Sequence, residues 1–217
     1  MPLRFRRMDF LSFINQLQEK LKEPLPGIEA QKLMLPVMEQ SDRFDVLARE
    51  RAIPGAVLIL FYPDLEGVYF PLIQRPVYEG AHSGQVALPG GKYDPGDRDY
   101  KHTALREAQE EIGVKAEEVN IIGRLTELFI PVSNFLIYPY IGFTRIKPVM
   151  TPEPREVDEI IIAQVNKLFH PASFKQKEIT VRSQQLLAPY FDYQGKMIWG
   201  ATAMILAELY VVLKELL

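Results

Sequence analysis

Three glutamates stand at positions 107, 110 and 111, inside the segment TALREAQEEIG that runs from Thr103 to Gly113. At helical spacing, residues i, i+3 and i+4 share one face, so the three carboxylates would project together. Ala104, Ala108 and Ile112, with Leu105 beside them, would supply the buried stripe of the same helix. Taken alone, the pattern favours a solvated acidic face. The preceding loop changes that reading. LPGGKYDPGD, from Leu88 to Asp97, carries glycines at 90, 91 and 96 that let the backbone approach another group closely. Arg106 lies one turn before Glu110, where it orients a carboxylate or forms a plain surface ion pair. Oxygen ligands on a rigid helix beside a tight glycine loop suit Mg²⁺ or Mn²⁺. Such a cation takes few carboxylates and completes its shell with water and substrate phosphate oxygens. It neutralises phosphoryl oxygens and lowers the pKa of an attacking water, so the chemistry indicated is hydrolysis at phosphorus.

The arrangement resembles the Nudix box: Gly, five residues, Glu, seven residues, Arg-Glu, an apolar residue, any residue, Glu-Glu, any residue, Gly and an apolar residue. Arg106 to Val114, REAQEEIGV, matches the second half in full. The first half departs from it. Five residues separate Gly91 from Asp97, which stands where the box has Glu, and eight residues instead of seven separate Asp97 from Arg106. Further segments are similar to the extended signature of the coenzyme A pyrophosphatase branch of the Nudix hydrolase superfamily. They are Arg75, His82-Ser83-Gly84 and VALPGGK from Val86 to Lys92, followed by Asp94-Pro95. That branch also carries the longer loop. Ser133-Asn134-Phe135, Glu156-Val157 and IWGATA from Ile198 to Ala203 resemble later landmarks, so the likeness covers roughly residues 52–210.

The resemblance implies a role for each matching residue. Glu107, Glu110 and Glu111 would be the metal ligands, held by Arg106, with Gly90 and Gly91 shaping the loop against the helix. A general base would come from a helix glutamate or from Glu127, Glu153 or Glu156; Glu156 is favoured by its place beside Val157 after a proline-rich loop. Arg75, His82 and Lys92 would face substrate phosphates, although a lone loop histidine is also a common structural residue. Ser133 and Phe135 would line the pocket, with core packing the competing role for Phe135. The implied reaction is metal-dependent cleavage of the diphosphate of coenzyme A or a derivative, giving 4′-phosphopantetheine (or its derivative) and adenosine 3′,5′-bisphosphate. Two alternatives stand beside it: a broader hydrolase of dinucleotides, nucleotide sugars or nucleoside triphosphates, and a non-catalytic nucleotide-binding module.

The elements that must position these residues follow from periodicity. Phe10, Phe13, Ile14, Leu17 and Leu21 predict an amphipathic helix over 9–22, ended by Pro24 and Pro26, and a short helix is expected near 41–49. Strands are predicted at 56–62 and 68–74 around a hairpin loop, with Pro71 marking an edge or bulge. Further strands are expected at 85–88, 119–129, 135–146 and 157–163, and a loop over 89–99 leads into a helix over 100–112. A short helix fits 164–169, the patterns at 175–182 and 191–199 stay ambiguous, and an amphipathic helix closes the chain from Gly200. The expected fold is α+β, an α/β/α sandwich: a Nudix-like mixed β-sheet between helices, with an N-terminal helical extension. The extension spans 1–50, too short for its own core, and the hydrolase domain 51–217.

Across 217 residues the formal net charge is −3, which does not suggest bulk electrostatic binding of nucleic acid. There is no cysteine, so disulfides, thiolate metal sites and cysteine nucleophiles are excluded. No window is long and apolar enough for a membrane span, and the basic start is broken by Asp9. A cytoplasmic protein, monomeric or homodimeric and binding a coenzyme A-like nucleotide diphosphate, is the expectation.

Overall fold

The computed structural model describes residues 9–36, 49–64, 67–77, 83–181 and 184–216. The helix expected near 41–49 falls almost wholly outside them, as does His82. In chain order the described elements are α1 (Phe10–Lys20), α2 (Gly27–Gln31), β1 (Ile53–Asp64), β2 (Gly67–Gln74), β3 (Val86–Ala87), β4 (Gly90–Lys92), α3 (Tyr100–Ile112), β5 (Asn120–Arg124), β6 (Leu128–Ile130), β7 (Phe135–Phe143), β8 (Glu159–Gln164), α4 (Val165–Leu168), β9 (Phe174–Val181), β10 (Gln184–Tyr193), β11 (Lys196–Trp199) and α5 (Gly200–Leu213).

The central strand, β1, divides its side chains between two layers. Ala56, Leu58 and Leu60 meet Ala104, Ala108 and Ile112 of α3, whereas Ile59 and Phe61 point to the opposite core with Phe13 of α1 and Leu206 and Leu209 of α5. The period of two along a strand makes that division. The larger sheet runs β3-β2-β1-β7-β5, with β4 paired to β1, β6 to β7 and β8 to β2. β1 and β7 run parallel and the other pairs are antiparallel, so the sheet is mixed. The fold is α+β, a mixed sheet flanked by helices with an N-terminal helical extension.

Several elements differ from the sequence reading. Gly90–Lys92 forms a short strand within the predicted loop, because Gly55, Ala56 and Val57 of β1 offer it a backbone ladder. Pro71 pairs across to Ile162 of β8 and stands beyond Tyr69, where the β1 ladder ends. Its missing N–H therefore removes no bond to β1. The ambiguous stretch after 173 forms a second antiparallel sheet, β11-β10-β9. The last helix is buried on nearly every side, with Ala203 to Leu209 all inaccessible, so it is a core helix and not an amphipathic surface one.

Candidate active site

The helix α3 is fixed at both ends. The Asp99 side chain accepts from the His102 amide at 2.8 Å, an N-cap, and Gly113 takes φ +72° to end the helix. Between them, Glu107 and Glu111 lie one turn apart on the side facing β4. Gly90 donates its amide to Glu111 Oε2 at 2.8 Å. A Cβ on Gly90 would lie 2.3 Å from the Ala56 carbonyl oxygen, and one on Gly91 would lie 2.4 Å from Glu107 Oε2. Each glycine is therefore required by a close approach, the first to β1 and the second to a carboxylate.

Arg106 sits at the centre of an ionic cluster. Its Nε donates to Asp97 Oδ1 at 3.0 Å and its Nη2 to Asp97 Oδ2 at 3.1 Å. The same guanidinium lies 2.9 Å from Glu107 Oε1 and 2.9 Å from Glu110 Oε2, and it also donates to the Lys92 carbonyl. Asp97 accepts in addition from Thr103 Oγ1 at 2.9 Å and is buried. Hydrogen bonds from Arg106 hold its carboxyl down to about 2, and the pair pushes the Arg106 guanidinium upward in turn. Asp97, which at first looks like a defect in the box, thus anchors the arginine that steadies Glu107.

A cleft of about 300 Å³ opens beside these residues. Arg75, Lys92, Glu107, Glu111 and Glu156 line its charged side, and Ser133 and Phe135 lie on its wall. Glu156 comes from a loop latched to the end of α3: Thr151 donates its amide to the Ile112 carbonyl, and Glu153 donates its own to that of Glu111, each at 3.0 Å. Glu110 points elsewhere; it is exposed, paired with Arg106, and does not line the cleft. Nor do the other two base candidates: Glu127 pairs with Arg49 at 3.2 Å and Glu153 sits in the latch.

The charges in the cleft are poorly balanced. Glu111 is 1% exposed, and among the described residues its nearest basic atom is Arg75 Nη1 at 3.9 Å. Burial, the largest cause, pushes its carboxyl up to about 8, with Glu107 and Glu156 adding repulsion. Burial raises Glu107 as well. Arg75 Nε and Ser133 Oγ are buried and have no hydrogen-bond partner among the described residues. Buried polar groups are normally satisfied, so unsatisfied ones that line a cleft call for a ligand.

Among the described residues, no three His, Asp or Glu side chains already stand together at ligand spacing. The donor set nonetheless suits a hard cation. Glu107 and Glu111 from α3 face Glu156 from the loop, all are oxygen donors, and a divalent ion would relieve the like-charge repulsion. Glu110, paired with Arg106, stands apart from that donor set. Asp97 and the cleft wall from α5, Ala201, Thr202 and Ile205, were not singled out from sequence as site residues. Asp97 had a signal, an acid nine residues before Arg106; Ala201 and Thr202 had one in the IWGATA segment, and Ile205 had none that separates it from core.

A NUDIX domain model matches residues 53–188. The chain belongs to the Nudix family. Its sheet, box helix and cleft make it a Nudix pyrophosphohydrolase. It is 33% identical over 138 residues to the uncharacterized Nudix hydrolase NudL of Photorhabdus laumondii, covering 64% of this chain and 73% of the relative. With the mitochondrial Nudix hydrolase 15 of Arabidopsis thaliana it shares 34% identity over 196 residues, covering 87% of this chain and 66% of the relative. With the peroxisomal coenzyme A diphosphatase NUDT7 of Mus musculus it shares 34% over 111 residues, covering 51% of this chain and 47% of that protein. Among the described residues, no helix is long and apolar enough to cross a membrane.

Proposed function

We propose that this Nudix enzyme uses Mg²⁺ or Mn²⁺ to hydrolyse the diphosphate of a nucleoside-diphosphate derivative in the cleft between α3 and Glu156. The observation that carries this reading is the buried, under-neutralised carboxylate of Glu111 beside Glu107, facing two basic side chains across one cleft. Glu107 and Glu111 would hold the cation, with Glu110 joining them if it leaves Arg106. When bound, the cation neutralises phosphoryl oxygens and acidifies water. Arg75 and Lys92 would bind the remaining phosphate oxygens, and the free Ser133 hydroxyl would donate to one of them. Glu156 would accept the proton of the attacking water. The water oxygen bonds to one phosphorus, the bridging P–O bond breaks, and its electron pair leaves with the other phosphate.

Coenzyme A, free or derivatised, is the finer reading. It is supported by Arg75, Ser83-Gly84 and the segment from Val86 to Pro95, and by the mouse relative, whose name carries that activity. The broader reading has wider support: the relatives matched over more of their length bear only the general name Nudix hydrolase. Product analysis on a panel of coenzyme A, dinucleotides and nucleotide sugars with Mg²⁺ or Mn²⁺ separates the two. Preferential release of 4′-phosphopantetheine and adenosine 3′,5′-bisphosphate supports the coenzyme A reading. Turnover of other diphosphates with none of coenzyme A rejects it. No metal-dependent cleavage of any diphosphate rejects both.

A further inference from the structure

One fully buried carboxylate lies outside the ionic cluster. Glu208 of α5 is 0% exposed and stands in the run ILAELYVV, the only acid in that helix. Its Oε1 accepts from the Gly27 amide and from the Thr126 amide, each at 3.2 Å. Its Oε2 accepts from Gln31 Nε2 at 3.0 Å, and the same amide nitrogen donates to the Thr126 carbonyl at 3.2 Å. Both peptide groups of Thr126 are thereby tied down, one by α5 and one by the extension. Gly27 takes φ +57°, and a side chain there would be strained whatever the space, so the extension enters this clamp by a turn suited to glycine.

The two elements gripped by the clamp are also two walls of the cleft. Ala201, Thr202 and Ile205 of α5 line it, and Glu208 lies one turn beyond Ile205 on the same stripe of the helix. Thr126 leads within four residues to Ile130, which lines the cleft from β6 and is followed directly by the turn that carries Ser133. An apolar contact at this seam would hold the walls together but would not set their spacing. Three directed hydrogen bonds to one carboxylate set it.

We infer that Glu208 is a positioning residue for substrate binding, and that the extension, through Gly27 and Gln31, sets the width of the active-site cleft. The inference rests on the cleft being the substrate site. Neither Gln31 nor Glu208 lines that cleft, so a change at either reaches the substrate only through α5 and β6. The extension is then part of the specificity apparatus and not only a cover for the core.

The test uses the full chain with Gln31→Leu and, separately, Glu208→Gln. Gln31→Leu keeps the carboxylate and removes one donor; Glu208→Gln keeps the shape and removes one acceptor. For the best substrate of the panel, each variant is expected to raise KM about tenfold while kcat stays within about threefold, a split that a loss of stability alone does not produce. Amide hydrogen exchange, read without any substrate, is expected to accelerate at 127–135 and 200–205 in both variants while α3 keeps its protection. A lowered melting temperature with unchanged KM and unchanged exchange at those two segments would overturn the inference and leave Glu208 as a core lock. If no substrate is turned over, the proposed function fails, and the exchange result still decides whether the clamp holds the two walls.

Discussion

Glu111 and Glu208 are both buried glutamates on helices, and their surroundings are opposite. Glu208 is fully buried and accepts from three donors. Glu111 accepts from one backbone amide, faces an arginine at 3.9 Å, and has Glu107 and Glu156 as repelling neighbours. A buried carboxyl held by several hydrogen bonds is structural material. A buried carboxyl left short of partners at the edge of a cleft suits a ligand of opposite charge. The contrast separates the scaffold of this molecule from its chemistry.

The largest effect should come from Glu111→Gln. We expect kcat to fall by about two orders of magnitude or more, the scale of lost metal and electrostatic catalysis. The apo protein should melt at a higher temperature, because a neutral amide needs no counter-charge; calorimetry without added metal checks this. A drop in both activity and apo stability would erase the contrast with Glu208. Glu208→Ala should do the reverse to stability. It leaves the Gly27 and Thr126 amides without their acceptor and takes one of the two bonds made by Gln31 Nε2, and denaturant unfolding should show a loss of about 4 kcal/mol.

Asp97→Asn comes next. Folding lowers the Asp97 pKa from 3.8 to about 2, chiefly through Arg106. A depressed carboxylate contributes stability above its unfolded pKa, and that contribution is lost as the pH falls from about 4 to about 2. The substitution should therefore cost about 2 kcal/mol at neutral pH and remove that acid-labile step, as equilibrium unfolding across the pH range would reveal. Glu110→Gln should be mildest for stability, within about 0.5 kcal/mol, since an exposed helical ion pair contributes little. Its kinetics sharpen the comparison. A loss near that of Glu111→Gln would place Glu110 on the cation, and a much smaller one would leave that task to Glu107 and Glu111.

What the sequence disclosed tracks the range of the interactions involved. The segment Gly90 to Val114 was legible because its logic is local: an acid face at helical spacing, a stripe of small apolar residues, glycines just upstream and Gly113 as a stop. Glu107 and Glu111 share the cleft as the spacing required, while Glu110, on the same face by count, is held by Arg106, the i,i+4 partner that the spacing also offered. β4 was hidden because Gly-Gly-Lys has no strand preference of its own and borrows its order from β1. The Glu208 clamp was hidden for a different reason. The clamp's partners lie 82 and 181 residues away in the chain, so a lone acid in an apolar helix was the only trace.

The central claim is that the Glu107–Glu111 cleft binds a divalent cation and spends it on a diphosphate. Calorimetric titration of Mn²⁺ into the wild-type chain and into Glu111→Gln, paired with product analysis on the same two preparations, tests it most directly. We expect a saturable wild-type site, diphosphate cleavage that chelation abolishes, and loss of both in the variant. Equal Mn²⁺ binding by the two proteins, or cleavage that survives chelation, would contradict it.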